Sequence, residues 1–391
     1  MNSTVRKKEL TIIFGTRPEA IKLAPVIRKI EEEDYFTSRI ILTGQHREML
    51  KQMLDNFSLT PNINLNLMRK EQSLNGLTSR AVEKLGEAVE EQGPDMIVVH
   101  GDTTSTLTGA LTAYYRQVPV AHVEAGLRSY DKYSPFPEEM NRRMTDVLAD
   151  LHFAPTSKNK ENLLQENVRE NNIYITGNTV IDAALMTVSD NFTFASPLEN
   201  ILKEAGNGFK KDIILLTAHR RENLGEDMEE IFEAVKRITE QFKDHKIIFP
   251  VHLNPAVRRA AGEKLGELTN VHLIEPLNYD NFINLMARSK LVLTDSGGIQ
   301  EEAPAFDVPV VLLREKTERP EAIEAGTVVK AGTSKEEIVR VTERFLQDED
   351  FYSRTAATPN PYGDGRAGER IVSCLLSYFG CSEERVEEFQ I

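Results

Sequence analysis

Three carboxylates in the first half of the sequence have positions suited to proton transfer. Asp102 lies in HisGlyAspThrThr, and Glu124 ends an apolar run in HisValGluAlaGlyLeuArg. Glu138 is the first of two acids after ProPhePro. A carboxylate held beside a reacting carbon can act as a general base or, when protonated, as a general acid. The three residues are therefore candidates for acid–base catalysis.

Each of these carboxylates also has a structural explanation. Asp102 precedes ThrThrSer, so it is equally suited to be the N-cap of a helix. Glu124 would be structural if it formed an ion pair with Arg128, because unpaired buried carboxylates are rare. Glu138 and Glu139 would serve only as first-turn acids if a helix begins after ProPhePro.

The segment AspSerGlyGly, at residues 295–298, is the most specific local signal for an anion site. It passes directly from an apolar run into a helical pattern. Its glycines let the backbone approach a ligand, whose charge the free amides and the helix dipole would bind. The alternative is a tight turn with Ser296 as N-cap. Glu302 comes one turn later, where a carboxylate can accept both hydroxyls of a ribose, whereas Glu301 is better explained as a first-turn acid.

Cations and histidines also follow apolar runs. Arg17 and Lys22 come after the first run and are suited to a diphosphate, although a solvated helix lysine is an alternative for Lys22. His219 and His252, at predicted strand ends, are further candidates. His100 and His122 lie within or at the end of apolar runs and are expected to be satisfied structural residues.

These residues need a scaffold, and the sequence predicts one of the α/β class. Short runs rich in β-branched residues alternate with amphipathic stretches of helical period, which is typical of a parallel sheet covered by helices. The first helix is expected to continue through Pro25, with a bend. The predicted strands of the first half are Leu10–Phe14, Ile40–Thr43, Met96–His100, Val118–Val123, Leu151–Ala154 and Ile173–Ile175.

The same pattern restarts in the second half, so two domains are expected, as the length of 391 residues also suggests. The predicted domains are residues 1–190, residues 191–363, and a last helix within 364–391 that returns to the first domain. The strands of the second domain are predicted at Asp212–Leu216, Lys246–Pro250, Val271–Ile274, Leu291–Thr294 and Pro309–Leu313.

The carboxyl ends of parallel strands are where ligands bind in open sheets. The polar motifs fall at these ends in both halves of the chain. If the two polar edges face each other, the active site lies in the cleft between the two domains.

Composition excludes several classes of protein. The net charge of -14 argues against nonspecific binding of nucleic acid, which needs a basic face. No apolar run approaches the roughly 18 residues of a membrane span. The two cysteines, Cys374 and Cys381, are too far apart on one helix for a disulfide, which fits a reducing, cytoplasmic compartment.

Two kinds of bound group are also not expected. A zinc site is not expected, because the chain has neither HisGluXXHis nor a cysteine pair with zinc spacing. A nicotinamide is not expected, because no GlyXGlyXXGly follows the first strand. The expectation is an enzyme without a cofactor.

Eleven blocks in order along the chain resemble the non-hydrolysing UDP-N-acetylglucosamine 2-epimerases of bacteria. Any one block would be weak evidence, but the set spans nearly the whole chain. The blocks lie at residues 14–22, 44–49, 100–104, 122–128, 133–139, 175–182, 219–222, 251–255, 294–304, 317–321 and 360–365. The resemblance implies the glycosyltransferase-B fold, in which two Rossmann-like domains face a cleft. It also implies a homodimer, and interconversion of UDP-GlcNAc and UDP-ManNAc for cell-surface polysaccharide.

The resemblance also implies roles for individual residues. Those implied for catalysis are Asp102, Glu124, Glu138 and His219, the last also within the UDP-binding set. Those implied for binding the UDP-sugar are Arg17, Lys22, Phe282, Ser296, Gly297, Gly298, Glu302 and Arg319. A second UDP-GlcNAc is implied as an allosteric activator, at Gln45, Arg69, Arg220 and His252.

The chemistry implied is elimination, because carbon 2 of the sugar has no adjacent carbonyl to stabilise a carbanion. UDP would leave carbon 1 while a carboxylate removes the proton at carbon 2, giving 2-acetamidoglucal, and re-addition would give the epimer. Two alternatives stay open: a retaining glycosyltransferase on the same fold, and a noncatalytic sensor of UDP-sugars.

Overall fold

The computed structural model describes residues 6–44, 47–69, 72–204, 212–317, 319–382 and 386–390. The chain divides into two compact units. The first unit contains the residues up to Ala183 together with Tyr362–Gln390, and the second contains Ala184–Pro361. The sequence predicts limits at residues 190 and 363. The observed division after Ala183 lies inside a helix, Thr179–Thr187, and not in the turn-rich stretch that follows it.

The first unit is built on a sheet of seven parallel strands in the order β3-β2-β1-β4-β5-β6-β7. Its strands are β1 (Lys8–Phe14), β2 (Phe36–Leu42), β3 (Ile63–Asn64), β4 (Met96–His100), β5 (Val120–Val123), β6 (Leu151–Ala154) and β7 (Ile173–Ile175). All residues of β4, β5 and β6 are buried. This accounts for their nearly continuous apolar sequence, because both faces of a parallel sheet are covered by helices.

In the part of the chain that the structure describes, eight helices of the first unit lie between or after these strands. They are α1 (Arg17–Glu32), α2 (Arg47–Asn56), α3 (Leu74–Gln92), α4 (Thr104–Tyr115), α5 (Glu138–Leu148), α6 (Ser157–Gln165), α7 (Thr179–Thr187), which ends in the second unit, and a C-terminal helix, Ala367–Tyr378, with a 3-10 turn at Glu170–Asn172. The C-terminal helix packs on α1, where Gly368 lies against the carbonyl of Pro25.

The second unit repeats the architecture with six parallel strands in the order β10-β9-β8-β11-β12-β13. They are β8 (Ile213–Thr217), β9 (Lys246–Pro250), β10 (Val271–Ile274), β11 (Leu291–Thr294), β12 (Val310–Leu312) and β13 (Val328–Lys330).

The helices of the second unit within the described residues are α8 (Leu198–Glu204), α9 (Glu226–Gln241), α10 (Pro255–Leu265), α11 (Tyr279–Met286), α12 (Gly297–Glu302), α13 (Pro320–Ala325), α14 (Lys335–Gln347) and α15 (Glu349–Ala356). The C-terminal helix of the first unit is therefore α16. Two 3-10 turns of the second unit lie at Arg221–Asn223 and Ala303–Phe306. Side chains of α9, α10 and α14 form its apolar core with strands β8, β9 and β11. Over the described ranges, no helix combines the length and apolar character that crossing a membrane would require.

The predicted α/β class with two Rossmann-like domains is confirmed. Helix α1 continues through Pro25 as expected. In each sheet the strand order reverses at one point, between β1 and β4 and between β8 and β11. Such switch points leave room for a ligand beyond the carboxyl ends of the strands. The loops and helices that directly follow these four strands carry most of the candidate residues.

Candidate active site

Glu124 lies directly after β5, with its carboxylate surrounded by three side chains of the first unit. The ammonium of Lys22, on α1, forms an ion pair with it. The amide nitrogen of Asn178 donates to Oε1 at 3.1 Å, and Nε2 of His100 lies 3.3 Å from Oε2. The side chains of Glu124 and Lys22 are only 12% and 18% exposed. The cluster therefore holds the carboxylate beside a cation and largely away from bulk water.

The backbone of Glu124 is also unusual. Its φ of 64° lies in the left-handed region, which costs a residue with a side chain of order 1 kcal/mol or more. Gly126, two residues later, has a φ of 84°, so the chain turns sharply after β5. This turn directs the carboxylate back to the carboxyl end of β4. Strain of this kind persists where neighbouring contacts hold it, and it clusters at functional sites.

The surroundings of Glu124 differ from expectation in two ways. Arg128, the structural partner considered for Glu124, pairs instead with Asp146 and Glu166, both at 2.7 Å. His100 is not a satisfied structural histidine: its Nε2 lies 3.3 Å from Oε2 of Glu124 without the geometry of a hydrogen bond, and its Nδ1 has no hydrogen-bond partner in the described part of the chain. Its burial lowers its pKa to about 3. The ring beside Glu124 is therefore neutral at physiological pH.

Asp102 follows β4, the strand beside β5. Its carboxylate forms an ion pair with Arg142 of α5, and its carbonyl accepts a hydrogen bond of 2.9 Å from Asn141. The side chain of Asp102 is 31% exposed, so it can reach a ligand. The N-cap of α4 is Thr103, whose hydroxyl accepts from the amide of Thr106. The N-cap role considered for Asp102 is thus taken by its neighbour.

The two acids at the start of α5 have different surroundings. Glu139 is fully buried and accepts from the amides of Ser129 and Tyr130, at 2.9 and 3.1 Å, so it fixes the preceding loop. Glu138 is half-buried, and its carboxylate has no hydrogen bond or ion pair with the residues that the structure describes. Glu138 is thus the acid of this pair that is available to a ligand.

Arg17 is the first residue of α1, and the loop before it is tied to the loop that carries Asp102. The buried carboxylate of Glu19 accepts from the amides of Gly15 and Thr16, at 3.0 and 2.7 Å, and from the hydroxyl of Thr103 at 2.8 Å. Burial raises the pKa of Glu19. Arg17 forms no ion pair with the described residues, which leaves its guanidinium available for an anion.

In the second unit, Asp295 organises the loops after β8 and β11. Its Oδ2 accepts from the amides of His219 and Arg220, both at 2.8 Å, and its Oδ1 lies 3.3 Å from Nδ1 of His219. The ring of His219 stacks on that of His252, with 5.5 Å between centroids. Burial lowers the pKa of His219. Two histidines from the ends of β8 and β9 are therefore brought together.

The SerGlyGly segment forms the first turn of α12. Ser296 is the N-cap by position, but its hydroxyl makes no capping hydrogen bond. The structural role considered for Ser296, as the capping residue of a tight turn, is therefore not fulfilled by its side chain. Gly298 is exposed, and a side chain added there would meet nothing closer than Glu302, at 4.0 Å. Packing therefore does not require glycine at 298. Because Gly298 has no side chain, the start of α12 is open to a ligand.

Arg319 forms an ion pair with Glu301, the neighbour of Glu302, which is the residue predicted to bind a ribose. Its guanidinium binds Glu301, which is buried, while Glu302 is half-buried on the same turn. Thr317 accepts from the amide of Arg319 at 3.0 Å and donates to Gln300 at 2.9 Å. These bonds tether the loop after β12 to α12.

The remaining candidates are more dispersed. Phe282 is half-buried on α11. Of the residues suggested for an activator, Arg220 and His252 lie near His219, and Arg69 is exposed in the first unit. Gln45 lies outside the described residues. Within the described ranges, no group of three histidine, cysteine or acidic side chains could hold a metal ion.

Sequence reasoning missed three partners of the candidate carboxylates: His100, Asn178 and Arg142. Asn178 follows β7 within IleThrGlyAsn, so the strand-end rule applied to that strand could have found it. Arg142 stands one turn after Glu138 and Glu139 on α5, a spacing that places the three on neighbouring positions of one helix. No local signal marks the contact of His100 with Glu124, which depends on the turn at Glu124.

Comparison with known proteins gives a consistent result. A family profile described as UDP-N-acetylglucosamine 2-epimerase matches residues 28–376. The UDP-N-acetylglucosamine 2-epimerase of Bacillus subtilis is 48% identical over 385 residues, which cover 98% of this chain and 99% of that protein.

Two solved structures resemble the chain over nearly its whole length. The UDP-GlcNAc 2-epimerase from Neisseria meningitidis bound to UDP-GlcNAc has a TM-score of 0.79 and 43% identity, covering 95% of this chain and 100% of that chain. The enzyme from Methanocaldococcus jannaschii, in complex with UDP-GlcNAc and UDP, has a TM-score of 0.72 and 37% identity, covering 94% and 99%. The chain therefore belongs to the UDP-N-acetylglucosamine 2-epimerases, a family of isomerases.

Proposed function

We propose that this enzyme interconverts UDP-GlcNAc and UDP-ManNAc by eliminating UDP and adding it back, without a cofactor. The observation that carries the proposal is the pair of carboxylates after adjacent strands β4 and β5. Asp102 is bound by Arg142, and Glu124 is bound by Lys22. Carboxylates held beside cations at one edge of a sheet can take and return a proton.

The chemistry balances without any other reactant. A carboxylate takes the proton from carbon 2, the electrons of that C–H bond form the C1–C2 double bond, and the C1–O bond breaks with its electron pair on UDP. The reverse step adds UDP to carbon 1 and a proton to the opposite face of carbon 2. Epimerisation by anti elimination and re-addition therefore needs one group to remove the proton from one face of carbon 2 and a second group to deliver a proton to the other face.

We assign these groups to the first unit. Glu124, Asp102 and the unpartnered Glu138 share the proton transfers, and Arg17 offers a cation to the diphosphate. In the second unit, His219 stabilises the leaving UDP. The remaining residues assigned to the UDP group are Ser296, Gly297, Gly298, Glu302, Arg319 and Phe282. The complexes of relatives with UDP-GlcNAc and UDP support a nucleotide site of this kind.

Isotope labelling tests the cleavage of the C1–O bond. UDP-GlcNAc carrying oxygen-18 in the bridge to carbon 1 is incubated with the enzyme in heavy water. Elimination predicts deuterium at carbon 2 and movement of the label to nonbridging oxygens of the β-phosphate. Free 2-acetamidoglucal and UDP should also accumulate on long incubation. Epimer formed with the bridging label wholly retained and without free glycal would overturn the mechanism.

The same incubation separates the alternative functions. A retaining glycosyltransferase would form no epimer until an acceptor was supplied, and a sensor would bind UDP-GlcNAc without converting it. Epimer formed from UDP-GlcNAc alone excludes both.

We further propose that a second UDP-GlcNAc activates the enzyme, through Gln45, Arg69, Arg220 and His252, and that the enzyme is a homodimer. Activation predicts that UDP-ManNAc alone is converted slowly until UDP-GlcNAc is added, for which a coupling of about 1–3 kcal/mol is sufficient. A reverse reaction that is hyperbolic and shows no lag would contradict the activator site. Sedimentation of the purified chain tests the dimer.

We also propose that the enzyme works in the cytoplasm and supplies ManNAc units for cell-surface polysaccharide. Both cysteines are free thiols, which suits a reducing compartment. Fractionation of cells and analysis of surface polysaccharide after gene deletion test these two statements.

A further inference from the structure

Helix α5 buries polar side chains where a helix of this fold usually buries apolar ones. Its buried residues are Glu139, Asn141, Arg142, Thr145 and Asp146. Burying polar and charged groups is unfavourable unless each finds partners. Such groups add little stability compared with well-packed apolar residues, so their presence here calls for another explanation.

Arg142 contacts the loop that carries Asp102. One terminal nitrogen of its guanidinium pairs with Asp102, and the other lies 3.2 Å from Glu139. Only 10% of its side chain is exposed. Because a guanidinium is planar with fixed donor directions, the contact of one nitrogen with the buried Glu139 fixes the direction from which the other nitrogen meets Asp102.

Asp146, one turn later, contacts the loop that carries Glu124. Its carboxylate binds Nδ1 of His122 at 2.6 Å and Arg128 at 2.7 Å. The other ring nitrogen of His122 lies 2.8 Å from the carbonyl oxygen of Gly101, immediately before Asp102. Burial opposes ionisation of Asp146, but the hydrogen bond with His122 and the charge of Arg128 help to lower its pKa to about 2.

Successive turns of α5 therefore hold the loops of two candidate catalytic carboxylates, while its first residue, Glu138, is the third. Resting on the proposed epimerisation, we infer that Arg142 is a positioning residue for the reaction. It sets the Asp102 carboxylate relative to Glu138 on the same helix, and it acts through Asp102 without touching the substrate.

Three variants separate this role from simple stability. Arg142→Met removes the charge, Arg142→Lys keeps it without the fork, and Arg143→Met is the matched control. Arg143 is the next residue of α5, is 41% exposed and pairs with Glu166. We expect Arg142→Met to lower kcat about 10²-fold, since a misplacement of about 1 Å has that effect. The KM and the Kd for UDP should change less than about threefold, and Arg142→Lys should recover part of the activity.

A double-mutant cycle with Asp102→Asn gives the decisive readout. If Arg142 acts through Asp102, Arg142→Met should lower the residual kcat of Asp102→Asn by less than about threefold. The same substitution in a Glu124→Gln background should show a much larger loss. A general loss of structure would instead lower kcat to the same degree in both backgrounds.

The outcomes are distinct. Additive losses in the Asp102→Asn background, an equal loss in Arg143→Met, or near-normal kcat in Arg142→Met would each overturn the inference. If Arg142→Met does not fold, the same cycle with Arg142→Lys decides. Wild-type enzyme that forms no epimer would contradict the proposed function, whereas active wild-type enzyme with an additive cycle would contradict only the role of Arg142.

Discussion

The ammonium of Lys22 and the carboxylate of Glu124 form an ion pair across 102 positions of sequence. Lys22 lies on the helix after β1, and Glu124 lies after β5, with β4 between these strands in the sheet. The resemblance assigns this lysine to UDP. The pairing gives it a different immediate partner, the base proposed for the reaction.

Lys22→Met should therefore lower kcat more than it weakens nucleotide binding. We expect a loss of about 10²-fold in kcat, the size seen when one charge-stabilising donor is removed, with the Kd for UDP changed less than about threefold. Lys29→Met is the control, because Lys29 lies on the same helix, is 46% exposed and pairs with Glu32. A large loss of UDP affinity with kcat preserved would make Lys22 a diphosphate ligand.

Glu124→Gln should keep the fold and the UDP affinity but lose about 10²- to 10⁴-fold in kcat, since an amide cannot accept the proton. Steady-state epimerisation and UDP titration measure the two quantities. Glu170→Gln is the control, at a glutamate that is 71% exposed in the same unit. Turnover close to that of the wild type would make Glu124 merely structural.

Glu302→Ala and Arg319→Ala should chiefly weaken UDP binding, by roughly 1.5–3 kcal/mol each, the value of a hydrogen bond to a charged group. Arg319→Ala should also lower thermal stability, because it leaves the buried carboxylate of Glu301 without this partner. Calorimetric titration with UDP measures the affinity. Arg340→Ala, at an exposed arginine of α14, is the control. Unchanged affinity in both test variants would remove these residues from the site.

We expect the free energy of unfolding to depend on pH because of the buried carboxyl group of Asp182. Burial raises its pKa from 3.8 to about 6, while the amide of Gly368 donates to it at 2.8 Å. The folded state thus binds the proton more tightly than the unfolded state. The stability that this gives is present below pH 3.8 and is lost as the pH rises through about 6.

Asp182→Asn should therefore stabilise the protein at pH 8 by up to about 3 kcal/mol and have little effect at pH 4. Urea unfolding at both values measures the difference. Asp34→Asn, at a fully exposed side chain, should show no such dependence. An equal effect of Asp182→Asn at both pH values would show that its charge is not the cause.

Gly126→Ala should destabilise the first unit and lower kcat through the nearby Glu124. A methyl group there would lie 2.4 Å from the carbonyl oxygen of Asn159. The control Gly93→Ala has a similar left-handed φ, of 58°, but nothing within 4 Å. We expect about 1–2 kcal/mol for the control and about 1–3 kcal/mol more for Gly126→Ala, from overpacking. Equal losses of stability in the two variants would show that the loop around Gly126 can shift to accommodate the methyl group without cost.

The strands of both sheets were predictable because parallel strands are buried on both faces and leave continuous apolar runs. Two edge strands were missed. β3 has only two residues, and β13 is ValValLys, with one buried position. An edge strand is covered less and is therefore less constrained in sequence.

The site was predictable in part, because candidate side chains stand at strand ends that the sequence reveals. Their partners were not. Arg128, which is close in sequence, was the ion-pair partner considered for Glu124, yet it binds Asp146. The observed partner of Glu124 is Lys22, which comes from a distant segment. Such pairings depend on which strands are neighbours and on the left-handed turn at Glu124, neither of which a linear pattern specifies.

The return of α16 to the first unit has a consequence for the order of synthesis. Residues 184–361 are contiguous, so the second unit is translated in one piece, whereas the first unit is interrupted and lacks α16 until Ala367–Tyr378 has been translated. Until then the surface of α1 around Pro25 remains uncovered, and Asp182 lacks the amide of Gly368. The half of the protein that is translated first is therefore the half that is completed last, and nascent chains stalled before residue 362 should expose this surface to chaperones and proteases.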